Sequence, residues 1–126
     1  MIGYTTNIEK ETLDNTAYRR VLFTGKKMQL VVMTLRPQED IPLETHPDTD
    51  QFIRVEKGEA LVKIGSEENK VSEDEMIIIP AGNAHYVKNT STEEDLKIYT
   101  LYSPPEHPEG TVQQTKAEAD AAEKDH

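Results

Sequence analysis

Glu44-Thr45-His46-Pro47-Asp48-Thr49-Asp50-Gln51-Phe52-Ile53-Arg54-Val55-Glu56-Lys57-Gly58 sets ligand-type side chains beside an alternating pattern and closes on a glycine. Side chains two apart along a strand lie on one face, so Glu44 and His46 point the same way. Pro47-Asp48-Thr49-Asp50 reads as a bend, with Asp48 and Asp50 satisfying amides there rather than binding a ligand. Beyond it Gln51, Ile53 and Val55 share one face, and Phe52, Arg54 and Glu56 the other. Lys57-Gly58-Glu59 turns the chain back, and Ala60, Val62 and Ile64 alternate with Leu61 and Lys63, the pattern of a hairpin. A second stretch, Pro80-Ala81-Gly82-Asn83-Ala84-His85-Tyr86-Val87-Lys88-Asn89, places His85 on the face of Val87 and away from Tyr86 and Lys88.

Outward from these stretches the chain is a series of short strands. Asn7 caps a helical turn that begins at Ile8. Residues 17–23 are β-branched and aromatic enough for a strand, and Thr24-Gly25-Lys26-Lys27 is a turn. Residues 28–35 form an almost unbroken apolar strand, covered on both faces, that Arg36-Pro37 ends. Residues 65–70 read as a polar turn, 76–79 as a short buried strand stopped by Pro80, and 89–95 as exposed loop. Residues 96–102 make a last strand before Ser103-Pro104-Pro105. Seven or so short strands with turn chemistry between them, and no strong internal helix, predict an all-β fold, an antiparallel sandwich or barrel. Residues 115–124 hold Ala, Glu, Asp and Lys with no large apolar side chain, so they form a surface helix or tail with almost nothing to bury. The expected organisation is a barrel domain over residues 1–105 and a polar, partly helical tail over 106–126.

A chain of 126 residues makes one domain. Hydrophobic residues are 35%, aromatics 6% and charged residues 30%, a thin core under a well-solvated surface. No apolar run is long enough to span a bilayer, and the first residues lack the basic flank and apolar middle of a secretory signal, so cytoplasm is the default. The absence of cysteine suits a reducing compartment and removes thiolate nucleophiles, thiolate zinc sites and disulfides. Any metal must be held by nitrogen and oxygen. The net charge of -10 repels phosphate backbones and anionic lipid, which argues against nucleic-acid and membrane partners. Phosphate-cradling glycine loops, nucleophile elbows and paired helical histidines are all missing.

Small barrels alternate inward and outward residues, so inward polar residues stand out, and here they are Glu44, His46, Gln51 and His85. Two imidazoles, a carboxylate and an amide oxygen make a four-point ligand set for one divalent ion. Such a set suits non-haem iron and also accepts manganese, cobalt, nickel or zinc. Gln51 reads equally as an orienting group behind a histidine. His107 and His126, in the polar tail, read as bystanders, with His107 close enough in sequence to fold over the barrel mouth.

The two stretches resemble the paired motifs of the cupin superfamily, which implies a double-stranded β-helix (jelly-roll) barrel. The first cupin motif runs from two histidines one residue apart, through a glutamate, to a glycine seven positions after it. Gln51 stands seven before Gly58, in the glutamate's place, and Glu44-Thr45-His46 fills the histidine pair. Pro80, Gly82, His85 and Asn89 match the second motif, with Asp74 where its leading glycine is expected. The resemblance covers about residues 17–102, and the block His46 to Phe52 with the ending Tyr102-Ser103-Pro104-Pro105 is similar to single-domain cupins labelled mannose-6-phosphate-isomerase-like. The usual ligand set is three histidines and a glutamate. Glu44 for a histidine and Gln51 for the glutamate keep the ligand charge at minus one, so the site is rearranged rather than lost, with weaker affinity and a more open coordination position.

Two functions follow as expectations. The first is a metal-dependent enzyme on a small oxygen-bearing metabolite, an isomerase, dioxygenase or decarboxylase, with Glu44 alternatively a general base and Tyr18, Tyr99, Tyr102 and Arg54 as supporting groups. The second is a binding or sensing module without turnover. The resemblance also implies a homodimer built through outer sheet faces, for which Phe52 and Leu61 are candidates.

Overall fold

The computed structural model describes residues 2–124. Its elements in chain order are α1 (Ile8–Asp14), β1 (Arg19–Thr24), β2 (Gln29–Leu35), β3 (Asp40–Glu44), β4 (Asp50–Lys57), β5 (Glu59–Ile64), β6 (Glu67–Ser72), β7 (Met76–Ile79), β8 (His85–Asn89), β9 (Leu96–Ser103), β10 (Val112–Gln113) and α2 (Lys116–Lys124). A six-stranded sheet, ordered β10-β1-β2-β9-β4-β7, faces a four-stranded sheet, ordered β3-β8-β5-β6, and every pairing is antiparallel. This is the antiparallel all-β fold that the alternation called for, in the jelly-roll form that the resemblance implied.

The alternating residues close the two sheets on each other. Ile53 and Val55 of β4, Ala60 and Val62 of β5, Val87 of β8 and Leu96 and Ile98 of β9 are buried in one continuous core. On β2 the inward Val31, Met33 and Leu35 and the outward Val32 and Thr34 are all buried. The outer face is covered because α1 crosses the six-stranded sheet, with Asn15 just after it bonded to Thr34. Asn7 caps α1, its Oδ1 accepting from Lys10 N at 3.0 Å, and the helix runs further than the single turn expected.

Several local expectations fail for one physical reason: alternation reports which face a residue occupies and not which strand lies beside it. Residues 51–64 are not a hairpin, since β4 belongs to the six-stranded sheet and β5 to the other. The chain crosses at Gly58, whose φ of +91° and close approach require glycine: a Cβ there would lie 2.9 Å from Asp95 O. The polar turn expected over residues 65–70 gives way from Glu67 to β6, an edge strand whose charged residues keep its open side in water. β7 also lies at an edge, and its Met76 and Ile78 are exposed rather than buried. Asn89 is buried at the end of β8, where its amide donates to the carbonyls of Leu35, Arg36 and Glu94 and ties three segments together. β9 is not the last strand, because β10 pairs with β1 and carries the chain past residue 105 back onto the barrel.

Candidate metal centre

Glu44 ends β3 and pairs with His85, which begins β8, after a register irregularity between Ile41 and Glu44. The two motif loops are stitched together by Gly82 N donating to His46 O at 2.9 Å and Ala81 N donating to Asp50 Oδ1 at 2.8 Å. Asp50 therefore satisfies an amide, as its bend position suggested, but an amide of the other motif. Gly82 supplies the positive φ of its loop, and Asp74, standing where a cupin would carry glycine, adopts a positive φ of 68°.

The stitching gathers three of the four sequence-predicted ligands. One donor atom each from Glu44, His46 and His85 lies within 4.8 Å of the others. Glu44 Oε1 is 3.1 Å from His46 Nε2 and 3.5 Å from His85 Nε2. His85 Nδ1 lies 3.0 Å from Asn83 O, and because a carbonyl only accepts, Nδ1 carries the hydrogen and the neutral ring presents a bare Nε2. His46 is turned in the same sense by Glu106, whose Oε1 is 3.1 Å from Nδ1. Gln51 is on the inward face of β4, 2% exposed, its Nε2 donating to Thr100 Oγ1 at 3.1 Å. Among the described residues, Gln51 Oε1 and His85 Nε2 are buried with no hydrogen-bond partner. A carboxylate, two imidazoles and a buried amide oxygen without a partner are the donor types of a cation site, so these residues fit a divalent ion.

The charges tell the same story. Burial alone would raise the Glu44 carboxyl, but His46, hydrogen-bonded to it at 3.1 Å, and His85, 3.5 Å away, outweigh it and bring it down to about 2. Burial alone would lower His46, but Glu44 and Glu106 outweigh it and the imidazole is raised. Both carboxylates thus favour a proton on His46.

Glu106 was not legible as a site residue, since it lies in a polar segment remote in sequence from both motifs. Its position comes from Gln29, buried on β2, whose Nε2 donates to His107 O at 2.7 Å and whose Oε1 accepts from Glu106 N and His107 N. The clipped segment walls a cavity of about 580 Å³ with Glu44, Thr45, His46, Glu106, His107 and Glu123 on its lining. His107 is thus no bystander: its ring meets Tyr102 edge-on at 5.2 Å, and Tyr102 in turn meets His46 at 5.9 Å. Burial, with the charge of Arg19, pushes His107 down to about 4, so the ring is neutral near pH 7. His126 lies outside the described residues. Of the supporting groups expected, Tyr102 is beside the site and Tyr18 donates its hydroxyl to Asp40 O, while Tyr99 and Arg54 face outward. Arg54 pairs there with Glu56 and Asp74, each at 3.2 Å.

Comparison with known proteins places these features in a family. Residues 31–102 match the Cupin domain family. The chain is 44% identical to the uncharacterised protein YrkC of Bacillus subtilis (strain 168) over 95% of its own length and 67% of that protein's. It is 46% identical to the uncharacterised protein L612 of Acanthamoeba polyphaga mimivirus, over 86% of this chain and 70% of the other. The crystal structure of BH2720 from Bacillus halodurans superposes with a TM-score of 0.91 at 47% identity, covering 94% of this chain and 93% of that one.

Proposed function

The chain belongs to the cupin superfamily, and from that premise we propose that it holds one divalent ion through Glu44, His46 and His85, with Gln51 as a fourth donor, and acts on a small oxygen-bearing metabolite. One observation carries the reading: one nitrogen from each of two imidazoles and a carboxylate oxygen lie within 4.8 Å of one another, with the unpartnered amide oxygen of Gln51 buried on the inward face of β4. Iron, manganese, nickel, cobalt and zinc all suit such donors. A bound ion supplies Lewis-acid polarisation of a ligand oxygen, and redox chemistry where the metal is iron or manganese, which accommodates isomerase, dioxygenase or decarboxylase activity. His107, neutral near pH 7, lines the cavity wall, and Tyr102, its hydroxyl held protonated first by burial, keeps water from the rear of His46. Glu44 takes the base's part instead if only His46, Gln51 and His85 hold the ion.

A second reading, a binding or sensing module without turnover, draws support from the engagement of the nearby carboxylates. Glu44 is held between both imidazoles, and Glu106 by His46 and Thr49. The narrower likeness to mannose-6-phosphate-isomerase-like cupins stays a resemblance of sequence blocks. No helix among the described residues is long and apolar enough to cross a membrane. A cysteine-free chain of this charge suits the cytoplasm, which is where we assign it. We also assign the cupin domain to residues 1–105, which carry every proposed donor, and the surrounding wall to the segment from residue 106.

The proposed partner besides the small molecule is a second copy of the chain. Cross-strand register lines up Phe23, Leu30, Leu101, Phe52 and Ile78 in one apolar row on the outer face of the six-stranded sheet. Phe52 is in that row; Leu61, on the other sheet, stands between Lys70 and Lys88 and is the weaker candidate.

Elemental analysis of the purified protein and of His46→Ala and His85→Ala tests the ligand assignment. Wild type should carry about one ion per chain and the variants almost none, with circular dichroism unchanged. Stoichiometric metal in both variants would remove these residues from the ligand set. Turnover of sugars, keto acids and phenols with each divalent ion separates the readings, and silence throughout favours the module.

A further inference from the structure

Arg19 opens β1 opposite Met33 of the core and is 4% exposed, its guanidinium 5.4 Å from the centre of the Tyr18 ring. A guanidinium is charged at any accessible pH, and a buried one is ordinarily matched by a carboxylate. Here Nη1 donates at 2.7 Å to Gln113 Oε1, a neutral acceptor, and Nε has no acceptor among the described residues. No ion pair within 4.0 Å joins Arg19 to a described carboxylate. The acids nearby are committed elsewhere: Asp120 to Lys116 at 2.6 Å, Glu44 to the two imidazoles and Glu106 to His46. Among the described residues, Glu123 is without such a tie.

Arg19 also borders a cavity of about 340 Å³ under α2, where the edges of the two sheets meet, with Tyr18, Ile41, Glu44, Ala119 and Glu123. Glu44 and Glu123 line this cavity and the larger one above the metal donors, so the two spaces adjoin at the carboxylate that serves the metal centre.

We propose that Arg19 anchors the carboxylate of the molecule this barrel takes, making the ligand a small organic acid and not a neutral sugar. The proposal deepens the metal-centre reading and rests on it for where the acid's other oxygen atoms lie. A neutral ligand would leave the guanidinium as it is, whereas a planar carboxylate answers its remaining N–H donors with matched geometry and one opposite charge. One guanidinium beside Glu44 and Glu123 suits a monoanion better than a phosphate dianion. The apolar side of the cavity, from Ile41 and Ala119, accepts a short carbon chain.

The test uses metal-free, 15N-labelled full-length protein titrated with sodium lactate, its uncharged counterpart lactamide, and inorganic phosphate, following the Arg19 Nε–H signal by NMR. Lactate should move that signal saturably, lactamide should not, and phosphate should bind more weakly than lactate. Arg19→Gln should lose about tenfold to a hundredfold in lactate affinity, the loss expected for a hydrogen bond to a charged group, while keeping its metal on elemental analysis. Equal responses to lactate and lactamide, tighter phosphate binding, or an unchanged affinity in Arg19→Gln would overturn the proposal. Should Arg19→Gln not fold, Arg19→Lys and the wild-type titration decide. A wild type without metal whose Arg19 signal still answers lactate would remove the metal reading and keep this one. Full metal with a silent Arg19 would do the reverse.

Discussion

Lowering the pH should expel the metal well before it unfolds the barrel, and the geometry fixes how steeply. In the metal-free protein Glu44 stays charged down to about 2, so above about pH 4 it has no proton to give up when an ion arrives. His46 is raised above its ordinary 6.5, because Glu44 at Nε2 and Glu106 at Nδ1 outweigh its burial. Below the raised value the ion must displace a proton from His46, and each pH unit there costs about tenfold in apparent affinity, or ~1.4 kcal/mol. Titration calorimetry with cobalt at about pH 6, in two buffers of different ionisation enthalpy, should report proton release on binding. The sign for stability follows from the same shifts. His46, with its value raised, stabilises the metal-free fold fully below its ordinary 6.5 and loses that contribution as pH rises through the raised value. Glu44, with its value depressed, contributes above its ordinary 4.5 and loses the contribution as pH falls toward about 2. The melting temperature of metal-free protein should thus peak on the mildly acidic side, with the gain from added metal largest on the alkaline side. Affinity that stays flat from about pH 5.5 to 7.5, with no proton released, would refute the arrangement of His46 between two carboxylates.

Three further outcomes are expected. Gln29→Ala removes the three hydrogen bonds that hold residues 106 and 107, at 2.7, 3.2 and 3.0 Å, and at ~1 kcal/mol each should cost about 2–4 kcal/mol in denaturant unfolding and weaken metal binding through Glu106; an unchanged metal affinity would show that the clip does not act on His46. Gly58→Ala puts a side chain at φ +91° and 2.9 Å from a carbonyl oxygen, so it should cost roughly 1–3 kcal/mol or more, measured by thermal unfolding. Phe52→Glu places a charge in the middle of the apolar row and should convert a dimer to a monomer in light scattering, whereas a wild type already monomeric at micromolar concentration would remove the dimer.

The facing of most core side chains was legible in the sequence, that of Met76 and Ile78 was not, and neither was the pairing of strands. Period-two alternation alone put Gln51, Ile53, Val55, His85 and Val87 inside, and all five are buried. The same alternation could not show that the chain changes sheets at Gly58, because a corner and a hairpin both need a turn residue between alternating runs. β6 escaped notice because Glu67-Glu68-Asn69-Lys70 has the composition of a turn, and only pairing with β5 makes it a strand. Glu106 and Arg19 were hidden for a related reason: each gains its meaning from a partner far away in sequence, His46 for one and an adjoining cavity for the other. Local pattern carries information about a face, and tertiary closure supplies the rest.

The two ligand replacements make sense as one change in where charge is kept. The position that Gln51 fills is 2% exposed and flanked by Thr100 and the core, where an unpaired carboxylate would cost several kcal/mol and demand a cation merely to let the barrel close. An amide there satisfies Thr100 through its N–H and keeps an oxygen in reserve. The displaced negative charge reappears on Glu44, at the end of β3, whose side chain is 27% exposed and already braced by two imidazoles, of which His46 is raised. Folding then does not require an ion, because His46, raised by Glu44 and Glu106, can carry the positive charge at the rim. On the proposed ligand set the barrel can assemble empty and load afterwards, so protein stripped of metal should stay folded.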